Sequence, residues 1–163
     1  FLNAYEKNIS IDDDLLSAFS NIINKIKPDK IYIPLLCDDH DDHKRVNQLL
    51  LEAYIQGYIE KKKVEVWCYQ VYTALPSNYI VNITDVVDKK KQAIRLYESQ
   101  SGNRNWAHWV SGLNAFNTRY LPGSPDERFA ETFCALELHD YIDICNKYFN
   151  DNDGSVYSNE EYS

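Results

Sequence analysis

Hydrophobic residues recur at helical spacing early in the chain and then give way to a continuous apolar run. Within residues 12–27 they recur every three or four positions, which predicts an amphipathic helix. Its apolar stripe consists of Leu15, Leu16, Phe19, Ile22, Ile23 and Ile26. We expect Ser10 or Asp12 to cap this helix and Pro28 to end it, because proline cannot continue a helix. The run at residues 30–36 is typical of a short strand buried in a parallel sheet.

The same two patterns alternate along the rest of the chain. Short apolar runs predict strands at residues 64–69 and 80–83, and residues 128–138 fit either a helix or a strand. Helical spacing returns in residues 43–60, 84–99, 106–120 and 141–149. Alternating helices and strands with short connections indicate βαβ crossovers. The expected fold class is therefore α/β, a Rossmann-like and mostly parallel sheet with flanking helices.

Length and charge favour one domain followed by an acidic tail. A chain of 163 residues is long enough for a single domain with a sizeable core. We expect this domain to occupy residues 1–149. Residues 150–163 hold acidic but no basic side chains, and we expect them to be disordered.

Composition excludes several classes of function and indicates a compartment. A net charge of −8 argues against nucleic-acid binding, and no apolar stretch approaches the ~20 residues that span a bilayer. The first residues do not resemble a signal peptide, so we expect a cytoplasmic location. The four cysteines form no Cys-x-x-Cys pair, which argues against a zinc ribbon. Cys68 and Cys134 lie in apolar surroundings, where we expect small buried hydrophobes.

The candidate chemistry lies between the first predicted strand and the helix after it. Residues 37–43 contain two histidines and four aspartates. In an open α/β sheet, ligands bind at the edge where strands give way to helices. His43, in the first helical turn, suits a metal ligand, and His40 suits a proton donor or oxyanion stabiliser beside it. Asp42 is placed to accept a hydrogen bond from one imidazole.

A simpler interpretation of this segment stays open. Aspartates near a helix N-terminus stabilise the helix by capping and by charge, so the segment also fits an exposed acidic loop. His108 and His139 fit local packing or pairing better than a ligand role. Glu131 lies in an apolar segment and would need a partner if it were buried.

Several stretches, in order, resemble the PIG-L/LmbE-like zinc deacetylases. Residues 32–34 leading into His40-Asp41-Asp42-His43 resemble the second motif of that family, which usually reads His-Pro-Asp-His. Residues 82–91 with Ser99-Gln100 resemble its Asp-Ile-Thr…Lys…Ser-Gln segment. Residues 128–133 resemble its Ala-Glu-x-Phe segment. The resemblance spans residues 1–138.

This resemblance implies an activity and a role for each residue of the motif. The family removes N-acetyl groups from amino sugars or glycoconjugates, such as those of N-acetylglucosamine, by attack of a zinc-bound water. By resemblance, His43 would bind Zn²⁺ or another divalent metal. His40 would protonate or stabilise the tetrahedral intermediate, and Asp42 would orient and charge His40.

The chain departs from the family pattern in two places. Asp41 replaces the usual proline, and the first motif, His-Pro-Asp-Asp-Glu, does not occur in the chain. In the family that motif supplies the other metal ligands and the general base. Because the chain also lacks methionine and starts with Phe1, we expect a missing N-terminal segment of the same domain, joined to it or on a second chain.

Three hypotheses follow from the sequence. The first is a zinc-dependent N-deacetylase that is active only together with the missing N-terminal motif. The second is a non-catalytic relative that serves as a binding or regulatory subunit. A hydrolase acting on another amide, such as a thiol conjugate or an antibiotic precursor, is the third.

Overall fold

The chain folds into alternating helices and strands. A computed structural model describes residue 2 and residues 9–59, 63–97, 104–123 and 127–151. The elements in this part are α1 (Asp13–Ile26), β1 (Lys30–Pro34), α2 (Asp41–Ile55), β2 (Glu65–Tyr69), β3 (Tyr79–Asn82), α3 (Val87–Arg95), α4 (Trp106–Asn117), β4 (Ala130–Glu137) and α5 (Leu138–Asp151). Short 3-10 turns at Thr84–Val86 and Thr118–Tyr120 adjoin α3 and α4. The chain forms two compact units, Phe1–Leu75 with Cys134–Ser163, and Pro76–Phe133.

The first unit contains the predicted βαβ crossover. β1 and β2 pair in parallel, with Pro34 opposite Tyr69, and α2 connects them. The predicted helix before β1 is confirmed as α1. The Asp12 side chain caps it by accepting a hydrogen bond from the Leu15 amide at 2.9 Å. It ends at Lys27, whose backbone is left-handed.

The core of this unit is built by side chains from all of its helices and strands. They include Leu16, Ile33, Leu50, Ala53, Val66, Cys68, Leu138, Tyr141, Ile142 and Cys145. The predicted burial of Cys68 is confirmed, and Cys134 is partly buried against the same core. Burial raises the pKa of the Cys68 thiol to about 12. The thiol is therefore neutral near pH 7 and packs as a small apolar group.

The second unit contains β3, the first half of β4, α3 and α4. β3 and β4 pair antiparallel, with Tyr79 opposite Phe133. The second half of β4, from Cys134 on, belongs to the first unit. There the amide of Leu138, the first residue of α5, donates to the Val64 carbonyl at 2.7 Å. The strand order is β1-β2-β4-β3. Glu131 on β4 is partly buried, and Lys90 of α3 forms an ion pair with it.

The α/β class with flanking helices is confirmed, and the structure refines the predicted sheet. The sheet is mixed, since its β1–β2 pair is parallel and its β3–β4 pair antiparallel. Residues 130–137, within the segment that fitted either helix or strand, form β4. Hydrophobic spacing reveals that a strand exists but carries no information about its direction, so the antiparallel pair was not foreseeable.

Several predicted boundaries shift by a few residues. α2 begins at Asp41, and it ends at Ile55 rather than at residue 60. α3 ends at Arg95, and Ser99-Gln100 lies outside the described residues. α5 extends to Asp151, so residues 150–151 of the predicted tail are helical; residues 152–163 are outside the described part. Among the helices that the structure describes, none is long and apolar enough to cross a bilayer.

Candidate functional site

The candidate site lies where β1 ends and α2 begins. The Leu35 amide donates to the Tyr69 carbonyl at 3.2 Å, which holds the end of β1 beside the end of β2. A turn follows, closed by the Asp38 amide and the Leu35 carbonyl at 3.0 Å. His40 then caps α2. The predicted strand-to-helix position of the histidines is confirmed.

Asp38 is fully buried and accepts hydrogen bonds at both carboxylate oxygens. Oδ1 accepts from the His43 ring at 2.9 Å and from the His40 amide at 3.2 Å. Oδ2 accepts from the amides of Tyr72 at 3.0 Å and Thr73 at 3.4 Å. Burial alone raises the pKa of Asp38, but these hydrogen bonds together hold the pKa below its ordinary value. Asp38 is therefore ionised near pH 7.

His43 is held in one orientation by Asp38. Its ring is hydrogen-bonded through Nδ1 to a carboxylate that only accepts, so the Nδ1 proton points at Asp38. In the neutral ring the free lone pair then lies on Nε2. Neutral histidine binds a metal through such a lone pair. A carboxylate behind the distal ring nitrogen is the usual arrangement around metal-binding histidines.

His40 has the opposite tautomer. Its Nδ1 accepts a hydrogen bond from the Asp42 amide at 3.2 Å, so the proton of the neutral ring lies on Nε2. Asp42 was expected to accept a hydrogen bond from an imidazole. The Asp42 carboxylate lies 4.0 Å from His40 Nδ1, which is too far for a hydrogen bond but close enough to stabilise a charged ring. Asp42 thus fixes the tautomer of His40 through its backbone amide.

The ring of Tyr72 lies against both imidazoles. Its centroid is 5.9 Å from that of His43 and 6.3 Å from that of His40, with interplanar angles of 16° and 20°. The two imidazoles are themselves 4.9 Å apart. Tyr72 follows β2 in the chain, so the loops after two adjacent parallel strands meet here.

A buried polar network supports the first turn of α2. Asn47 is fully buried, and its Nδ2 donates to the carbonyls of Pro34 at 3.0 Å and His43 at 2.7 Å. The Tyr141 hydroxyl of α5 donates to Asn47 Oδ1. Burial raises the pKa of Tyr141, which keeps the hydroxyl protonated as a donor. The backbone that carries His43 is therefore tied to β1 and to α5.

Sequence reasoning missed two residues of this arrangement. Asp38 was grouped with the other aspartates of residues 37–43, although it is the first aspartate after the apolar run and hence the nearest to the strand end. Tyr72 was not singled out. Its position three residues beyond a strand parallel to β1 was the available signal, because such loops share one sheet edge.

The chemistry of the described residues fits one metal ligand and not a complete metal site. His43 offers Nε2, and Asp38 is occupied by hydrogen bonds. Within the described ranges, no group of three or more His, Cys, Asp or Glu side chains is arranged to hold a metal ion. A catalytic zinc generally takes three protein ligands, so the others would have to come from residues outside this part.

The other two histidines lie away from this cluster in the sequence. His108, on α4, is exposed. His139 lies 3.7 Å from Asp143 and 3.4 Å from the Tyr54 hydroxyl. Neither contact suggests a ligand role.

Comparison with known proteins extends the fold assignment. No family model matches the chain. Among solved structures it is similar to the 4-carboxy-2-hydroxymuconate hydratase GalB from Pseudomonas putida, with a TM-score of 0.62 and 20% identity over 80% of this chain and 61% of that one. It is also similar to the conserved protein TT1542 from Thermus thermophilus, with a TM-score of 0.62 and 18% identity over 77% and 59% of the two chains.

A third similar structure is the N,N'-diacetylchitobiose deacetylase from Pyrococcus horikoshii. The TM-score is 0.60 and the identity 23%, over 85% of this chain and 57% of that one. The chain thus spans about three-fifths of the length of each of these proteins. At such identities the similarity shows a shared fold: this chain has the α/β fold of a deacetylase and a hydratase.

Proposed function

We propose that this chain forms part of a metal-dependent amide hydrolase that removes the N-acetyl group of an amino sugar or glycoconjugate. The observation that carries the proposal is the hydrogen bond between His43 Nδ1 and the buried Asp38 carboxylate. It leaves Nε2 of His43 as a metal-binding atom at the ligand-binding edge of the sheet. Support for the substrate class comes from the shared fold with a chitobiose deacetylase and from the motif resemblance.

In this proposal each residue of the cluster has one task. His43 would hold Zn²⁺ or another divalent metal, and Asp38 would fix its ring. Such an ion, when bound, supplies Lewis acidity toward the amide carbonyl and the attacking water. While neutral, His40 would donate a hydrogen bond from Nε2–H to the oxygen of the tetrahedral intermediate. It would transfer a proton to the departing amine from its imidazolium form, after the general base has passed it the proton of the attacking water. Asp42 would stabilise the imidazolium form of His40 across 4.0 Å.

The remaining ligands and the general base would come from polypeptide beyond the described residues. The chain covers 57% of the length of the deacetylase, and its sequence lacks the His-Pro-Asp-Asp-Glu motif. We therefore propose that a further segment of the same domain, joined to this chain or on a second one, completes the site.

Free cysteines such as Cys37 and Cys68 support a reducing, cytoplasmic location.

The test compares three histidine variants of the full-length protein. We expect His43→Ala to lose the metal, measured by elemental analysis. His40→Ala should keep the metal and release acetate from N,N'-diacetylchitobiose about 10²- to 10⁴-fold more slowly, the usual contribution of a proton-transfer group. His108→Ala, which removes an exposed imidazole, is the matched control. Normal metal content and acetate release in both site variants would contradict the proposal.

A second candidate is a hydratase, because the GalB hydratase shares the fold over 80% of the chain, against 85% for the deacetylase. The Nε2–H of the neutral His40 ring, acting as a hydrogen-bond donor, also suits stabilisation of an enolate oxygen formed in such a hydration. Hydration of 4-carboxy-2-hydroxymuconate without acetate release from sugars would favour this candidate. Absence of both activities in the wild-type full-length protein would instead favour the non-catalytic subunit.

A further inference from the structure

We infer that Tyr72 is a positioning residue of this site, whose ring fixes the planes of both imidazoles and hence the directions of their Nε2 atoms. The inference rests on the proposed function and adds to it a residue from a different strand. It is carried by the backbone anchoring of Tyr72, by the ring geometry, and by the exposure of its side chain.

The backbone of Tyr72 is anchored independently of its ring. Its amide donates to Asp38 Oδ2 at 3.0 Å, and the Thr73 amide donates to the same oxygen at 3.4 Å. The other oxygen of Asp38 binds His43. One buried carboxylate therefore joins the loop after β2 to the first turn of α2. It fixes the position of the Tyr72 backbone, from which the ring extends.

The ring is nearly parallel to both imidazoles at stacking distance. The angles of 16° to His43 and 20° to His40, at centroid separations of 5.9 and 6.3 Å, fall in the range of favourable offset stacking. The two histidines lie three residues apart on one helical turn, so a single ring reaches both. The stacking links two side chains that the proposed reaction uses for different tasks.

Each imidazole then has two different restraints. The first restraint is a hydrogen bond at Nδ1: His43 donates to Asp38, and His40 accepts from the Asp42 amide. Such a bond still permits the imidazole ring to rotate about the axis of the hydrogen bond. Contact with the Tyr72 ring opposes that rotation. Without it, each Nε2 would sweep an arc, and displacements of ~1 Å in an active site cost up to about 10² in rate.

Tyr72 can be altered without opening the core. The residue is 48% exposed, so a change of side chain leaves no buried cavity, and the amide that binds Asp38 is retained in every variant. Tyr72→Leu removes the aromatic face, and Tyr72→Phe keeps it. Tyr58→Leu is the control, because Tyr58 is 38% exposed and follows the opposite end of α2 from His43.

The first measurement is nuclear magnetic resonance of the full-length protein with ¹⁵N-labelled histidine, in one metal state throughout. The ring resonances are assigned with His40→Ala and His43→Ala. We expect Tyr72→Leu to shift and broaden the ring resonances of both histidines. Tyr72→Phe and Tyr58→Leu should leave them in place. Unchanged His40 and His43 resonances in Tyr72→Leu would overturn the inference.

The second measurement is acetate release by the same variants. We expect kcat of Tyr72→Leu to fall about 10- to 100-fold with little change in KM, and Tyr72→Phe to retain wild-type kcat. A loss confined to KM, or an equal loss in Tyr72→Phe, would overturn a positioning role. If the wild-type protein deacetylates nothing, the proposed function fails, while the resonance comparison still decides whether Tyr72 positions the rings.

Discussion

At the scale of single residues, the loop after β1 places neighbouring aspartates in different environments. Asp38 is fully buried and accepts hydrogen bonds at both oxygens. Asp39 and Asp41 are exposed, and Asp42 lies near His40 in the first turn of α2. Chemically identical side chains thus divide into one that organises the site and others that add negative charge to the helix N-terminus, where it is stabilising.

Replacing Asp38 tests this division. Asp38→Asn removes the charge and places an NH₂ group where backbone amides and an imidazole already donate. We expect a loss of about 1–3 kcal/mol in the free energy of unfolding, measured by urea denaturation. Asp39→Asn is the matched control and should change stability by less than about 0.5 kcal/mol. Equal effects of the two substitutions would contradict the account of Asp38.

The sequence pointed to three residues of the candidate site but not to the role of Asp38, which orients the His43 ring. His40, Asp42 and His43 were visible because the motif places them together in the chain. Apart from its place nearest the strand end, nothing in the sequence distinguishes Asp38 from Asp39, because the amides that bind its carboxylate, those of Tyr72 and Thr73, lie 34 and 35 residues away. The roles assigned to the three motif residues stay predictions until the variants are measured.

At the scale of elements, α2 shows why helix ends are harder to predict than helices. Its start is fixed by His40, an unusual cap, which accepts a hydrogen bond from the Asp42 amide. Its end is followed by Gly57 with φ of +76°. Glycine adopts this left-handed conformation without the steric cost that a side chain brings, so the helix ends at Ile55 and not at the predicted residue 60.

A pair of glycine substitutions tests the role of Gly57. An added Cβ meets nothing within 4 Å at Gly57 or at Gly112, which lies inside α4, so neither change causes a clash. Gly57→Ala should lower the free energy of unfolding by about 1 kcal/mol because of its positive φ. Gly112→Ala should raise it by roughly 0.5–1 kcal/mol, since alanine favours helix. Changes of the same sign in thermal denaturation would contradict this explanation.

The type and order of the elements were largely predictable, and their pairing was not. Helical and strand spacing gave α1, β1, α2, β2 and β3 within a few residues. β4 was ambiguous, because a fully or half-buried strand and a short helix can share the same apolar composition. Its antiparallel pairing with β3 depends on contacts between segments that are distant in the chain.

At the scale of the whole molecule, the chain holds an ordered cluster but spans about three-fifths of each similar protein. If the proposed metal site is completed in the full-length protein, the metal binds the folded state and not the unfolded one. Metal binding then contributes directly to the free energy of unfolding.

Metal removal is therefore expected to lower stability in a manner that depends on His43. Zinc at 100 times its dissociation constant should stabilise the chelator-treated full-length protein by about 2.7 kcal/mol, seen as a rise in Tm. His43→Ala should abolish most of that rise, and His108→Ala should preserve it. A rise of equal size in His43→Ala would show that the zinc is bound elsewhere.

The sequence by itself determined the α/β class, the βαβ crossover and the candidate segment, because hydrophobic spacing and strand-to-helix position are local properties. Only the tertiary structure decided which aspartate is buried and which nitrogen of each imidazole carries the proton. It also decided that the Tyr72 ring stacks on both imidazoles. These features depend on hydrogen bonds and ring contacts between the loops after β1 and β2. Folding brings those loops together, and residue spacing along the chain does not encode their contacts.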